Sequence, residues 1–138
     1  MNSNSLKIID GYTFYECENL KYVTIGDGVE NIGASAFCNC PSLENITISN
    51  SVQHISNYAF LNCTALSNIE IPDSVTDIGT GAFQGCTNLK TATVGNSVKS
   101  IGDSAFNRYF TNLASITIPD SVTSIGQYAF SGCESLTS

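Results

Sequence analysis

Positive charge is scarce in this chain. Five Lys and Arg stand against twelve Asp and Glu in 138 residues, a formal net charge of -7. A nucleic-acid partner needs a basic stripe to neutralise phosphates, so that partner class is excluded. His54 is the single histidine, so neither an imidazole pair for a metal nor a Ser-His-Asp set is readily assembled. No apolar run approaches the roughly 20 residues of a bilayer-crossing helix, so no membrane span is expected. The opening Met1-Asn2-Ser3-Asn4-Ser5 lacks the basic and apolar parts of a secretion signal. The expectation is a cytosolic chain, or a segment whose leader lies upstream. Charged residues are only 12% and hydrophobic ones 42%, too apolar and too uncharged for disorder. The length suits one domain over residues 1–138.

What the chain does contain is itself, repeated. The stretch Leu113 to Cys133 has the skeleton L-x-x-I-x-I-P-D-S-V-x-x-I-G-x-x-A-F-x-x-C, and the skeleton returns along the sequence. Phe14, Phe37, Phe60, Phe83, Phe106 and Phe130 are spaced by 23, 23, 23, 23 and 24 residues. Leu20, Leu43, Leu66, Leu89, Leu113 and Leu136 keep step, as do isoleucines from Ile9 to Ile125 and a Val/Leu column from Leu6 to Val122. Such periods define a repeat architecture.

Each unit can be read locally. Tyr22 to Ile25 alternates polar and apolar residues, the period of a half-buried strand; equivalents begin at Asn45, Asn68, Thr91 and Ser115. Turn residues follow, such as Pro72-Asp73-Ser74 and Gly95-Asn96-Ser97. Then comes a short extended Val-x-x-Ile-Gly piece. Its glycine column holds Gly33, Gly79, Gly102 and Gly126, but Asp10 and Ser56 interrupt it, which argues against an obligatory left-handed backbone there. The Ala-Phe-x-x-Cys segment has room for about one or two helical turns at most. A unit this small cannot bury its own apolar residues, whereas stacked units cover one another. Parallel strands joined by crossovers wind right-handed. The predicted fold is an α/β repeat: a right-handed, β-rich solenoid with one short parallel strand per 23-residue unit and about five and a half units.

The same residues, Leu-x-x-Ile-x-Ile, Pro-Asp-Ser-Val-x-x-Ile-Gly and Ala-Phe-x-x-Cys, resemble the BspA-like class of leucine-rich repeats, from about Leu6 to Leu136. That class occurs in bacterial and protist proteins, many on the cell surface. The resemblance implies a leucine-rich-repeat solenoid, a role in protein recognition and a cell-surface or secreted location, with the cytoplasm left open by the missing signal. Some members resemble adhesins for host matrix proteins, so it implies a protein partner of the extracellular-matrix or host-surface kind. It supplies no catalytic residues. The chain departs from the pattern at Phe106-Asn107-Arg108-Tyr109-Phe110-Thr111, one residue longer and without the cysteine.

Several constellations bear on chemistry. Cys17, Cys40, Cys63, Cys86 and Cys133 share one position, with Cys38 extra. Stacked neighbours would be close enough for a bridge, but parallel side chains give poor bridge geometry. Small buried plugs are the expectation. Cys38-Asn39-Cys40 lacks the second pair of a zinc site. Asp27, Asn50, Asp73, Asn96 and Asp120 form a ladder in which calcium could be imagined. Acids alternating with amides instead suggest side chains bonding their own turns. His54 is expected at the solvated surface. Asn45-Ile46-Thr47 and Asn62-Cys63-Thr64 match the glycosylation sequon, but both arise from the repeat itself. No catalytic residue, cofactor or metal is assigned, and no enzyme activity is expected.

Two features point to protein binding. Tyr22, Thr24, Asn45, Thr47, Asn68, Glu70, Thr91, Thr93, Ser115 and Thr117 should project from the open face of the strands as a nearly uncharged polar surface. Solenoids commonly bind there, although threonine also serves strand propensity. Arg108, Tyr109 and Phe110 make the second feature, because only one of the two aromatics fits the vacated cysteine slot. The other, with the arginine, is either displaced outward as an interaction element or packed as a tolerated insertion. The sequence begins and stops inside a unit without a polar cap. The second expectation is therefore a self-assembling structural protein stacked end to end, or a stretch of a longer array. The first is a non-enzymatic interaction or adhesion module.

Overall fold

The computed structural model describes residues 6–107 and 112–137. The chain coils repeatedly through two kinds of strand. The short ones are β1 (Ile8–Ile9), β3 (Asn31–Ile32), β5 (His54–Ile55), β7 (Asp77–Ile78), β9 (Ser100–Ile101) and β11 (Ser124–Ile125). The longer ones are β2 (Tyr22–Thr24), β4 (Asn45–Thr47), β6 (Asn68–Ile71), β8 (Thr91–Val94) and β10 (Ser115–Thr117). The short strands form one parallel ladder in the order β1-β3-β5-β7-β9-β11. Its register follows the repeat, with Ile9 opposite Ile32, then Ile55, Ile78, Ile101 and Ile125. The longer strands pair β2-β4 and β10-β8-β6, also parallel.

The fold is the solenoid that the periodicity predicts, with a second short strand in every unit. The Val-x-x-Ile-Gly piece pairs for only two residues, too few for alternation to reveal. Among the described residues there is no helix. The Ala-Phe-x-x-Cys segment instead gives its N–H groups to the following coil: Phe14 to Ala36, Phe37 to Ala59, Phe60 to Ala82, Phe83 to Ala105 and Phe106 to Ala129, at 2.8 Å in each case. Left-handed residues punctuate the segment, including Tyr58 (φ 58°) and Asn62 (φ 59°) in one unit and Gly81 and Gly85 in the next. Two left-handed residues so close together are incompatible with a right-handed helical run.

Stacking builds the core. Successive phenylalanine rings lie 5.1, 5.3, 5.2, 5.3 and 5.5 Å apart and within 14° of parallel, inside the favourable range for aromatic pairs. Phe37, Phe60, Phe83 and Phe106 are wholly buried, as are Leu43, Leu66, Leu89 and Leu113. The first and last described coils differ because each has one neighbour: Phe14 is 37% exposed and Ile125 49%.

Close stacking, not a left-handed backbone, favours glycine in this column, although Ser56 shows that one coil accommodates a Cβ there. None of Gly33, Gly79, Gly102 and Gly126 has positive φ. A Cβ on Gly102 would lie 2.5 Å from the Gly79 carbonyl carbon. The turn ladder also differs from expectation. Asp27 accepts from the Ser49 hydroxyl at 2.8 Å, Asn50 from the Ser74 N–H at 3.1 Å and Asp73 from the Asn96 N–H at 2.8 Å. These oxygens cross to the next coil rather than closing their own turn, because the adjacent turn sits within reach at the sheet spacing of roughly 4.8 Å.

Candidate functional site

The ten face residues named from the sequence are all exposed, while the alternate positions Ile46, Ile69, Ala92 and Ile116 are buried and Val23 is half-buried. The alternation is the pleat at work: one side of each strand feeds the core and the other meets solvent. Register brings Tyr22 beside Asn45 and Thr24 beside Thr47. It aligns Asn68, Thr91 and Ser115 in one row, and Glu70, Thr93 and Thr117 in a second. The two groups are not joined by a ladder, since β4 and β6 do not pair. A cleft of about 300 Å³ opens there, lined by Asn45, Ile46, Thr47, Ile48, Asn68 and Glu70. The repeat pattern gives no hint of it, because both strands fit the template.

Tyr22 is 68% exposed, and its hydroxyl donates to Glu44 at 3.2 Å. That bond to a carboxylate, together with its negative charge, holds the phenol above its usual pKa. Arg108, Tyr109 and Phe110 lie outside the described residues.

The cysteines are free thiols. Cys40, Cys63 and Cys86 are fully buried, and each thiol donates to the phenylalanine carbonyl of the preceding coil, Phe14, Phe37 and Phe60, at 3.1 Å. They are plugs, as expected, and also hydrogen-bond donors between coils, a role invisible in the sequence; the Phe14 and Phe60 carbonyls accept in addition from the Cys17 and Cys63 N–H groups at 3.3 Å. Burial pushes Cys40 up to about 11. The adjoining Cys86 thiol, then burial, raise Cys63. Burial also raises Cys38 and Cys133. Such thiols are poor nucleophiles and poor metal ligands, since both roles need thiolate.

His54 is half-exposed on the short-strand ladder. It is not merely solvated: its Nδ1 bonds Asp77 Oδ1 on the next strand, an oxygen that also accepts from the Thr76 hydroxyl at 3.0 Å. The link follows from register, which places position 54 beside 77. Among the described residues, no three His, Cys, Asp or Glu side chains gather closely enough to hold a metal. No helix there is long and apolar enough to cross a membrane.

The arrangement is that of a stacked-coil solenoid with a regular core and an exposed strand face. The chain belongs to the family described as the BspA type leucine rich repeat region, whose model matches six copies over residues 2–110 and 108–138. Repeats of this family are generally protein-interaction modules. Similar solved structures include the T. pallidum leucine rich repeat protein, 34% identical, TM-score 0.91, covering 95% of this chain and 61% of that one. A leucine-rich repeat protein from Bacteroides ovatus is 40% identical with TM-score 0.78, covering 84% of this chain and 32% of that one. A leucine rich cell surface protein from Faecalibacterium prausnitzii is 32% identical with TM-score 0.68, covering 96% and 42% respectively. The chain thus spans 61% or less of the length of these three. No curated protein matches it in sequence.

Proposed function

We propose that the chain is a non-enzymatic recognition module that binds a protein partner on the face of β2, β4, β6, β8 and β10. The supporting observation is the face itself: ten exposed side chains on a rigid stack, nine of them uncharged. Polar groups held in fixed rows bind with little ordering cost, and the single buried core beneath them keeps the rows fixed. Cell-surface adhesion is the finer form of this reading, supported by the surface location in the name of one structural relative. The test is capture of the chain by immobilised extracellular matrix proteins, repeated with Thr93→Arg on the face and Lys99→Glu away from it. Binding lost at Thr93 and kept at Lys99 supports the reading. Binding indifferent to Thr93→Arg and Thr47→Arg together overturns it.

A second reading, end-to-end stacking, is favoured by one observation. The first described coil opens an apolar groove of about 350 Å³ lined by residues including Leu6, Ile8, Phe14, Val23 and Val29. This is the kind of surface on which a further coil of an array sits, whether from the same chain or another copy. Light scattering over a concentration series separates the two: growth in mass supports stacking, and a constant monomer mass removes it.

A further inference from the structure

The repeat makes the five longer strands equivalent, yet their ladder breaks once. β4 pairs with β2, and β6 with β8, but β4 and β6 stay unpaired. In the same two coils the short-strand ladder runs unbroken through β3, β5 and β7. An inner parallel strand normally bonds both neighbours. At this seam, peptide groups of the facing edges are therefore free for water or a ligand. The cleft occupies that position.

Its chemistry is specific. Glu70 is the one charged residue among the ten face positions, and it lines the cleft. It is exposed, and the ion pairs among the described residues, Lys7–Glu30 and His54–Asp77, leave it out. Glu44, next to the seam, already accepts from Tyr22. The cleft thus offers one uncommitted carboxylate, the amides of Asn45 and Asn68 and the Thr47 hydroxyl.

We propose that this seam is a pocket for a basic side chain, arginine or lysine, projecting from the docked partner. The Glu70 carboxylate supplies the counter-charge. The side-chain carbonyls of Asn45 and Asn68 and the Thr47 oxygen accept the remaining N–H groups, of which a guanidinium has five in a planar fork. The chain's net charge of -7 steers a basic partner segment toward it. The inference rests on the face reading above and names what that face selects.

The experiment is a ¹⁵N NMR titration of the whole chain with N-acetyl-arginine amide and, separately, N-acetyl-norleucine amide. Arginine amide is expected to shift resonances of Asn45, Thr47, Asn68 and Glu70, with affinity on the order of 1 mM, as suits a small ligand. Glu70→Gln should weaken it roughly tenfold through loss of the charge-assisted bonds, while Glu134→Gln leaves it unchanged. The norleucine analogue should produce no clustered shifts. Arginine shifts scattered elsewhere, or equal affinity for Glu70→Gln, would overturn the pocket. A captured partner that Thr93→Arg abolishes but Glu70→Gln leaves intact removes the pocket and spares the face. A partner indifferent to Glu70→Gln and to Thr93→Arg and Thr47→Arg together removes both the pocket and the face.

Discussion

Phe60 shows how a single residue carries the fold. It is fully buried between Phe37 and Phe83, with ring centres 5.3 and 5.2 Å away. Phe60→Ala should cost about 3–5 kcal/mol, the usual range for emptying a core aromatic site. Phe14→Ala should cost distinctly less, because Phe14 has one stacking neighbour and is partly exposed. Urea unfolding of the two variants gives the comparison, and equal losses would contradict the stacking account. The thiols give a pH prediction at the same scale. An unperturbed thiol ionises near 9.0, whereas folded Cys40 holds its proton to about 11. Between those values the unfolded state binds fewer protons, so stability falls as pH rises. The contribution is fully present below pH 9 and lost toward pH 11. Urea midpoints should drop across that window, and less steeply in Cys40→Ala, whatever that variant's lower starting stability.

At the scale of the element, the chain is held by rungs that cross between coils. Most side-chain rungs are half-exposed or exposed, so each is expected to be weak. His54 and Asp77 have side-chain exposures of 46% and 42%. A double-mutant cycle with His54→Ala and Asp77→Ala should return a coupling below about 1 kcal/mol, as exposed pairs do. A larger value would mean the ladder gains more from this pair than surface screening permits. The alternation within Tyr22 to Ile25 and its equivalents was readable because a strand has period two. The two-residue strands were not, since so short a piece carries no period. The left-handed positions were hidden too: Tyr12, Ser35, Tyr58, Gly81, Ser104 and Tyr128 share a conformation and no common residue type.

At the scale of the molecule, each coil contacts only its neighbours, so stability is close to a sum over coils and their interfaces. Removing residues 68–90, one full period, should leave a shorter solenoid with the same circular dichroism shape and a smaller denaturant slope, since less surface is exposed on unfolding. Collapse to an unfolded chain would show that some longer-range contact matters. The same deletion removes β6 and the seam, so the arginine-amide response should vanish while the fold persists.

The period, the buried columns and the exposed rows are legible from the residues alone, because stacked equivalent residues must share an environment and only certain side chains tolerate each one. So is the face, since alternation puts Thr47 and Glu70 opposite the core. Which group on a neighbouring coil each polar side chain bonds is settled only by the stacking of the coils. Asp73 reaches the next turn, Cys63 the previous phenylalanine carbonyl and His54 its neighbour Asp77. The break between β4 and β6 is of the same kind. A repeat template makes all interfaces equal, and the small packing differences that hold these strands apart exist only once the coils are stacked.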